Sequence, residues 1–347
     1  MEIQRIGVLT GGGDAPGLNA VIRAIVITAA KNGIEVVGIK RGWAGLLDGG
    51  ESSLLTVDDV DDIHRTGGTI LRTSRTNPIK YPNGMEQVKR NLEKHHIDAL
   101  ISIGGDDTLS VAQKLYLDGM KVVGVPKTID NDLCGTDYTF GFDTAINIAT
   151  EAMDRLHTTA RSHDRVLVVE IMGRYAGWLA MNAGMAGGAH IILVPEEKFD
   201  PDEVAEVVKK RQDAGLNYTI VAVSEGAVPT DAREFVTQDD KVDEFGHVKL
   251  GGIAKRLAKV IEKKTGQETR AVVLGHIQRG GAPSAFDRVL GARLGVKAVN
   301  LVLEGKFGQM PALQGTSITS IPISEAIGKL KLVDKSFIDE MKIFRGK

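Results

Sequence analysis

The chain has 347 residues, enough for two domains with a buried core in each and too many for a peptide-sized disulfide scaffold. Its 43 Lys and Arg against 45 Asp and Glu leave a net charge of −2, so no global positive field exists to hold nucleic acid, and any phosphate site must be local. One cysteine, Cys134, suits a reducing compartment, and 41 glycines point to many tight turns.

The opening residues, Met1-Glu2-Ile3-Gln4-Arg5-Ile6, carry charge where a secretory leader would be apolar. The most apolar early stretch, residues 20–30, is broken by Arg23 and falls short of the ~20 residues that a bilayer span needs. The expectation is a soluble, cytoplasmic protein with no membrane partner. Short Val- and Ile-rich runs then alternate with helical-period segments, the pattern of crossover units in a parallel sheet, so the fold class is α/β. Strands are predicted over residues 5–10, 35–39, 99–103, 121–125, 165–170, 190–193, 218–224 and 270–274. Between residues 142 and 161 apolar side chains recur at three- and four-residue steps, which predicts a long amphipathic helix, capped by Asp143 and bridging two halves. No linker or fixed repeat marks a boundary, but a second run of strand–helix units begins after residue 142.

Ligands of open parallel sheets lie beyond the carboxyl ends of the strands, so the residues after each strand carry the functional argument. The first strand is followed by Gly11-Gly12-Gly13-Asp14-Ala15-Pro16-Gly17. Such glycines let backbone N–H groups close on an anion at a helix start, or serve steric needs alone. No GxxxxGK[ST] occurs, which removes the P-loop class. The turn is one residue longer than the dinucleotide fingerprint, and Lys40 and Arg41 after the second strand would suit only NADP. The third predicted strand runs into Gly104-Gly105-Asp106-Asp107-Thr108. Its two carboxylates fit Mg²⁺ that shares substrate phosphates, or cap the following helix.

After the fourth comes Pro126-Lys127-Thr128-Ile129-Asp130-Asn131-Asp132. Here a lysine can neutralise phosphate, a threonine can donate, and Asp130 and Asp132 can take a hydroxyl proton or orient a metal; a solvated Asp-Asn-Asp turn is the bland alternative. The second half adds Arg165, Met172-Gly173-Arg174, Glu225, Arg270 and the segment 275–281 with His276 and Arg279. Arginines bind phosphate bidentately, His276 adds a donor, and Glu225 can accept from sugar hydroxyls, so a second anionic ligand faces the first. The combination favours phosphoryl transfer. Trp43 and Trp178 read as packing residues and Cys134 as inert, while His95 and His96 are adjacent and cannot share a helix face.

Residues 11–19, 104–106, 128–132, 172–174 and 275–281 together resemble the 6-phosphofructokinase family, a likeness spanning about residues 3 to 305. The resemblance implies two doubly wound, Rossmann-like three-layer α/β domains. Residues 1–141 with about 278–328 would hold the phosphoryl donor and Mg²⁺, and residues 142–277 with about 329–347 would hold fructose 6-phosphate. Asp130 would be the general base for the sugar's 1-hydroxyl, flanked by Thr128 and Asp132. Asp106 would be the magnesium carboxylate, Gly12 and Gly13 the donor-phosphate turn, and Arg75 a basic group near the transferring phosphoryl. Thr128, Ile129, Asp130, Met172, Gly173, Arg174, Glu225, His276 and Arg279 would contact the sugar phosphate. Arg165 and Arg270 would reach into a neighbouring subunit's site, which implies a homodimer or homotetramer.

Two positions depart from the ATP-using pattern of the family. Asp107 stands where those members carry glycine, and Lys127 replaces a common glycine before the threonine. A carboxylate at 107 would repel the α-phosphate of ATP at a cost on the order of several kcal/mol, and Lys127 would answer a smaller, more charge-dense donor. The pairing resembles the diphosphate-dependent branch, so diphosphate is the expected donor, with ATP its nearest rival. Allosteric bacterial members place basic effector-binding residues where this chain has Ile27, His157 and Gly215-Leu216-Asn217, with only Arg23 kept, so little effector control is expected. An NADP-linked oxidoreductase leaves the aspartates at 106, 107, 130 and 132 without a task, and a non-catalytic sugar-phosphate sensor has no need of Asp130 and Asp106.

Overall fold

A computed structural model describes residues 3–47, 50–232, 237–242, 244–245 and 248–346. The chain begins with β1 (Arg5–Thr10), α1 (Leu18–Lys31), β2 (Glu35–Ile39) and β3 (Ser52–Leu55). It continues through α2 (Gly84–Lys94), β4 (Ala99–Gly104), α3 (Asp106–Leu117) and β5 (Val122–Pro126). These strands form one sheet in the order β3-β2-β1-β4-β5, parallel except for the edge strand β3. Burial on both faces is what makes β4 and β5 largely apolar rather than alternating, with Ser102 of β4 the one polar side chain. The strand order reverses between β1 and β4, and the crevice beyond that reversal receives residues 11–13 and 104–107.

A second sheet follows the long helix α4 (Phe142–Ser162). Its elements are β6 (Val166–Ile171), α5 (Trp178–Ala186), β7 (Ile191–Leu193), α6 (Pro201–Asp213) and β8 (Thr219–Ser224). The antiparallel pair β9 (Thr237–Val242) and β10 (Val248–Leu250) comes next, then α7 (Ile253–Thr265) and β11 (Thr269–Val273). The order is β11-β6-β8-β7, parallel throughout. The chain then crosses back. In α8 (Ala285–Leu303), Leu290, Leu294 and Ala298 share a core with Leu18, Val21 and Ile22 of α1. A Cβ at Gly295 would lie 2.7 Å from the Val21 carbonyl oxygen, so only glycine admits this helix contact. The hairpin β12 (Gln309–Gln314) and β13 (Ser317–Pro322) leads through α9 (Ile323–Ala326) to α10 (Lys335–Lys342), whose Ile338 and Met341 join the core of the second half.

All eight predicted strands form, each end within one residue of expectation. The strands without a prediction, β3, β9, β10, β12 and β13, are antiparallel. Of these, β3 and β13 leave polar residues half or wholly exposed, so no unbroken apolar run announces them. The helix expected from 142 is α4, but its cap is Gly141 at φ 95°, not Asp143. Asp143 lies inside the first turn and accepts a 2.6 Å bond from Ser284 Oγ, because α8 packs beside it. As a bridge α4 performs as expected: Ala145, Ala149 and Met153 share one cluster with Ala15 and Ile129 of the first half and Leu167 and Val169 of the second. Among the described residues no helix is long and apolar enough to cross a membrane.

Candidate active site

The turn after β1 is fastened from three directions. Thr73 Oγ1 donates to the Gly12 carbonyl at 2.6 Å, Lys127 Nζ to the Gly13 carbonyl at 2.6 Å, and Arg279 Nη1 to the Asp14 carbonyl at 3.0 Å. With these carbonyl oxygens engaged, their negative ends no longer oppose an anion beside the turn. Gly12 takes φ 79°, and a Cβ at Gly13 would meet Arg279 Nη1 at 2.8 Å, so glycine is required at both for different reasons.

α3 starts at Asp106, so the first-turn carboxylates of Asp106 and Asp107 sit at a helix N-terminus. Neither caps the helix; the cap is the Gly105 backbone. Asp106 Oδ1 accepts from the Gly328 N–H at 2.8 Å. Across the crevice the 128–132 loop follows β5. Asn131 adopts φ 53°, its amide oxygen accepts from the Thr139 N–H at 3.0 Å, and Thr139 Oγ1 donates to the Thr128 carbonyl at 2.6 Å. That bracing orients Asp130, whose Oδ1 is buried with no hydrogen-bond partner among the described residues. A buried carboxylate oxygen without a donor is costly, and this one is free to accept a further hydrogen bond.

A solvent-open cavity of about 200 Å³ joins these parts. Gly12, Gly13, Arg75, Asp106, Asp107 and Lys127 line it together with Thr128, Asp130, Asp132, Met172, Arg174, Glu225 and Arg279. Its electrostatics follow from crowding. Burial, then Asp130, pushes the Asp132 carboxyl up to about 7. Burial, then Asp130, raises Glu225 to about 7 against the pull of Arg174. Burial, then Arg279, lowers the Lys127 ammonium to about 8, although Asp14, Asp130 and Asp132 oppose this.

Five expected site residues lie off the cavity wall. Ile129 is wholly buried in the bridging core, and Gly173, at φ 130°, uses its carbonyl to accept from Ser224 Oγ. His276 is exposed on the turn at Gly275–Arg279. Arg165 and Arg270 both pair with Glu268, at 2.8 and 2.6 Å, beside the edge strand β11. Sequence reasoning missed Tyr175, Phe245 and Leu330, which also line the cavity. Nothing in their local sequence carries a chemical signal, because they are apolar or aromatic walls brought in by the fold.

A sequence model of the phosphofructokinase family matches residues 5–302. The chain belongs to the phosphofructokinase family. It is 55% identical over 347 residues to the pyrophosphate–fructose 6-phosphate 1-phosphotransferase of Amycolatopsis mediterranei, covering 99% of this chain and 100% of the relative. It is 50% identical to the ATP-dependent 6-phosphofructokinase of Mycobacterium tuberculosis, again over 99% of this chain and 100% of the relative. Among solved structures, the phosphofructokinase of Saccharomyces cerevisiae superposes with a TM-score of 0.83 at 30% identity. That match covers 98% of this chain and 49% of the yeast chain, so the present chain spans about half the yeast length. The doubly wound architecture is thus that of the phosphofructokinases.

Proposed function

We propose that the chain transfers a phosphoryl group from diphosphate to the 1-hydroxyl of fructose 6-phosphate, giving fructose 1,6-bisphosphate and phosphate in a reversible reaction. The observation that carries the donor assignment is Asp107: its carboxylate lines the cavity at the start of α3, across from a glycine turn held by Lys127. A nucleotide α-phosphate on that side meets like charge in a partly desolvated crevice, whereas a bare diphosphate does not extend there. The relative of highest identity named above carries the same activity in its name.

The residues fit Mg²⁺. Asp106 and Asp107 bring carboxylate oxygens to the cavity that Gly12 and Gly13 also line, and among the described residues no group of three or more His, Cys, Asp and Glu is poised to hold a metal alone. Magnesium is commonly bound by one or two carboxylates plus phosphate oxygens, so Asp106 would hold it with the donor. When bound it neutralises charge on the transferring phosphoryl. Asp130 accepts the proton of the sugar hydroxyl through its unpartnered oxygen, with Thr128 and Asp132 beside it. Arg75 and Lys127 balance donor charge. Arg174, Met172, Glu225 and Arg279, which line the cavity, receive fructose 6-phosphate.

The donor half comprises residues 1–141 with about 278–328, and the sugar half 142–277 with about 329–347; the return of α8 to α1 and of α10 to the second core supports this division. Arg165 and Arg270 serve a neighbouring copy's site in a homodimer or homotetramer, for which the edge position of β11 and exposed Val273 and Ile277 give support. The protein acts in the cytoplasm. It responds little to effectors, since His157 is enclosed by Gly187, His190 and Tyr218. Purified protein assayed with each donor tests the proposal: turnover with diphosphate and little with ATP is expected, and Asp107→Gly should raise ATP use. Robust ATP-driven turnover with none from diphosphate would overturn it.

A further inference from the structure

Two residues between β9 and β10, Glu244 and Phe245, lie against the first half. Glu244 Oε2 accepts from the Asn77 N–H at 2.8 Å, and Glu244 Oε1 accepts from the Tyr81 hydroxyl at 2.8 Å. Its neighbour Phe245 packs against the apolar cluster of the first half that contains Trp43, Leu46 and Met85, and lines the catalytic cavity. Arg75 lies between two fastenings. On one side Thr73 Oγ1 and the Ser74 carbonyl bond to the glycine turn, at 2.6 and 3.0 Å. On the other side Glu244 holds Asn77 and Tyr81.

We infer that this turn sets the shape of the donor compartment: Glu244 positions the segment bearing Arg75, and the Phe245 ring is the wall that limits how far a donor extends past its phosphates. The inference rests on the donor reading above. A carboxylate accepting two donors fixes a loop more firmly than a neutral acceptor. An aromatic ring in a wall otherwise rich in Asp and Arg offers nothing to solvate a third charged group, so it ends the polar compartment. Discrimination here is therefore by size and polarity at Phe245, and by charge at Asp107.

Two measurements test the Phe245 wall and the Glu244 anchor. The first uses methylenediphosphonate and its terminal monophenyl ester as inhibitors competitive with the donor; the ester places a ring beyond one phosphonate at the loss of one ionisable oxygen, a difference that is the same for wild type and variant. Phe245→Ala should improve the inhibition constant of the phenyl compound by about tenfold, as a vacated apolar wall allows, with the parent compound changed less than about threefold. Phe245→Leu, which keeps apolar packing against the Trp43 cluster, should show the same direction with a smaller change. The second measurement is the kinetics of Tyr81→Phe, which removes one bond to Glu244. The donor KM should rise about fivefold with kcat and the fructose 6-phosphate KM within about twofold. Equal changes for both inhibitors, or a shift in the sugar KM in place of the donor KM, in variants with wild-type melting temperatures, would overturn the inference. The donor reading itself is decided on wild-type protein alone, by its rates with diphosphate and with ATP. The role of the turn is decided by which constant moves in the variants.

Discussion

Lys127→Met separates what the lysine does for catalysis from what it does for stability. Its ammonium is buried and donates to the Gly13 carbonyl at 2.6 Å, and burial lowers it from 10.5 to about 8. At about 1.36 kcal/mol per pH unit, keeping this group charged near neutrality costs the fold on the order of 3 kcal/mol. The substitution removes that cost but leaves a carbonyl without its donor, worth about 1–3 kcal/mol, so the two nearly cancel and the melting temperature at pH 7 should hold. Catalysis has no such compensation. Losing a charge-assisted bond at the donor turn should lower kcat/KM for diphosphate by about 10- to 150-fold, with the fructose 6-phosphate KM little changed. The sign with pH is fixed: the folded state sheds this proton before the unfolded chain does, so wild-type stability should rise relative to the variant between pH 8 and 10.5. The wild-type kcat/KM for diphosphate should also fall as pH passes about 8, a limb absent from the variant. Steady-state kinetics and denaturant melts across pH 6–10 measure both. A large drop in melting temperature with an unchanged donor kcat/KM would refute the reasoning and make Lys127 a structural residue only.

Removing the base by Asp130→Ser should cut kcat by about 10²- to 10⁴-fold while calorimetry still detects fructose 6-phosphate binding; unchanged turnover would reassign the base. Because burial holds the Glu225 carboxyl near about 7, sugar affinity should improve as pH rises through that value, and Glu225→Gln should flatten the profile. Asp287, wholly buried, accepts from the Thr144 N–H and hydroxyl, and burial raises it from 3.8 to about 6. A raised acid stabilises less as pH climbs from 3.8 to 6, so Asp287→Asn should melt above wild type at pH 7.5 and equal it below pH 4, whereas Asp287→Ala should melt lower at any pH.

Much of the fold was legible because a parallel strand buried on both faces writes itself as a largely apolar run, and β1, β4, β5, β6 and β8 do so. The glycine turn, the 106–107 carboxylates and the 128–132 loop were legible because chemistry at strand ends needs particular side chains, and all of them meet in one cavity. What stayed hidden has a common physical character. Asp143 has the composition of a cap, yet a glycine with positive φ starts the helix and frees the aspartate to bind Ser284. Phe245 and Leu330 contribute shape, and shape is decided by where distant segments land. The sequence presents Lys127 as a cation facing the donor, whereas its bond to Gly13 places it also beneath the turn as a fastening. No local pattern reports such a partner 114 residues away.

Segment 328–333 returns from the hairpin to seal the crevice. Gly328 N–H bonds Asp106, the Lys331 N–H bonds the Asp132 carbonyl at 2.9 Å, Lys331 Nζ bonds the carbonyls of Thr136 and Asp137, and Leu330 supplies wall. During synthesis the glycine turn and both aspartate loops emerge long before this strap. A growing polypeptide therefore carries the reactive aspartates before the segment that bonds Asp106 and the Asp132 carbonyl has been made.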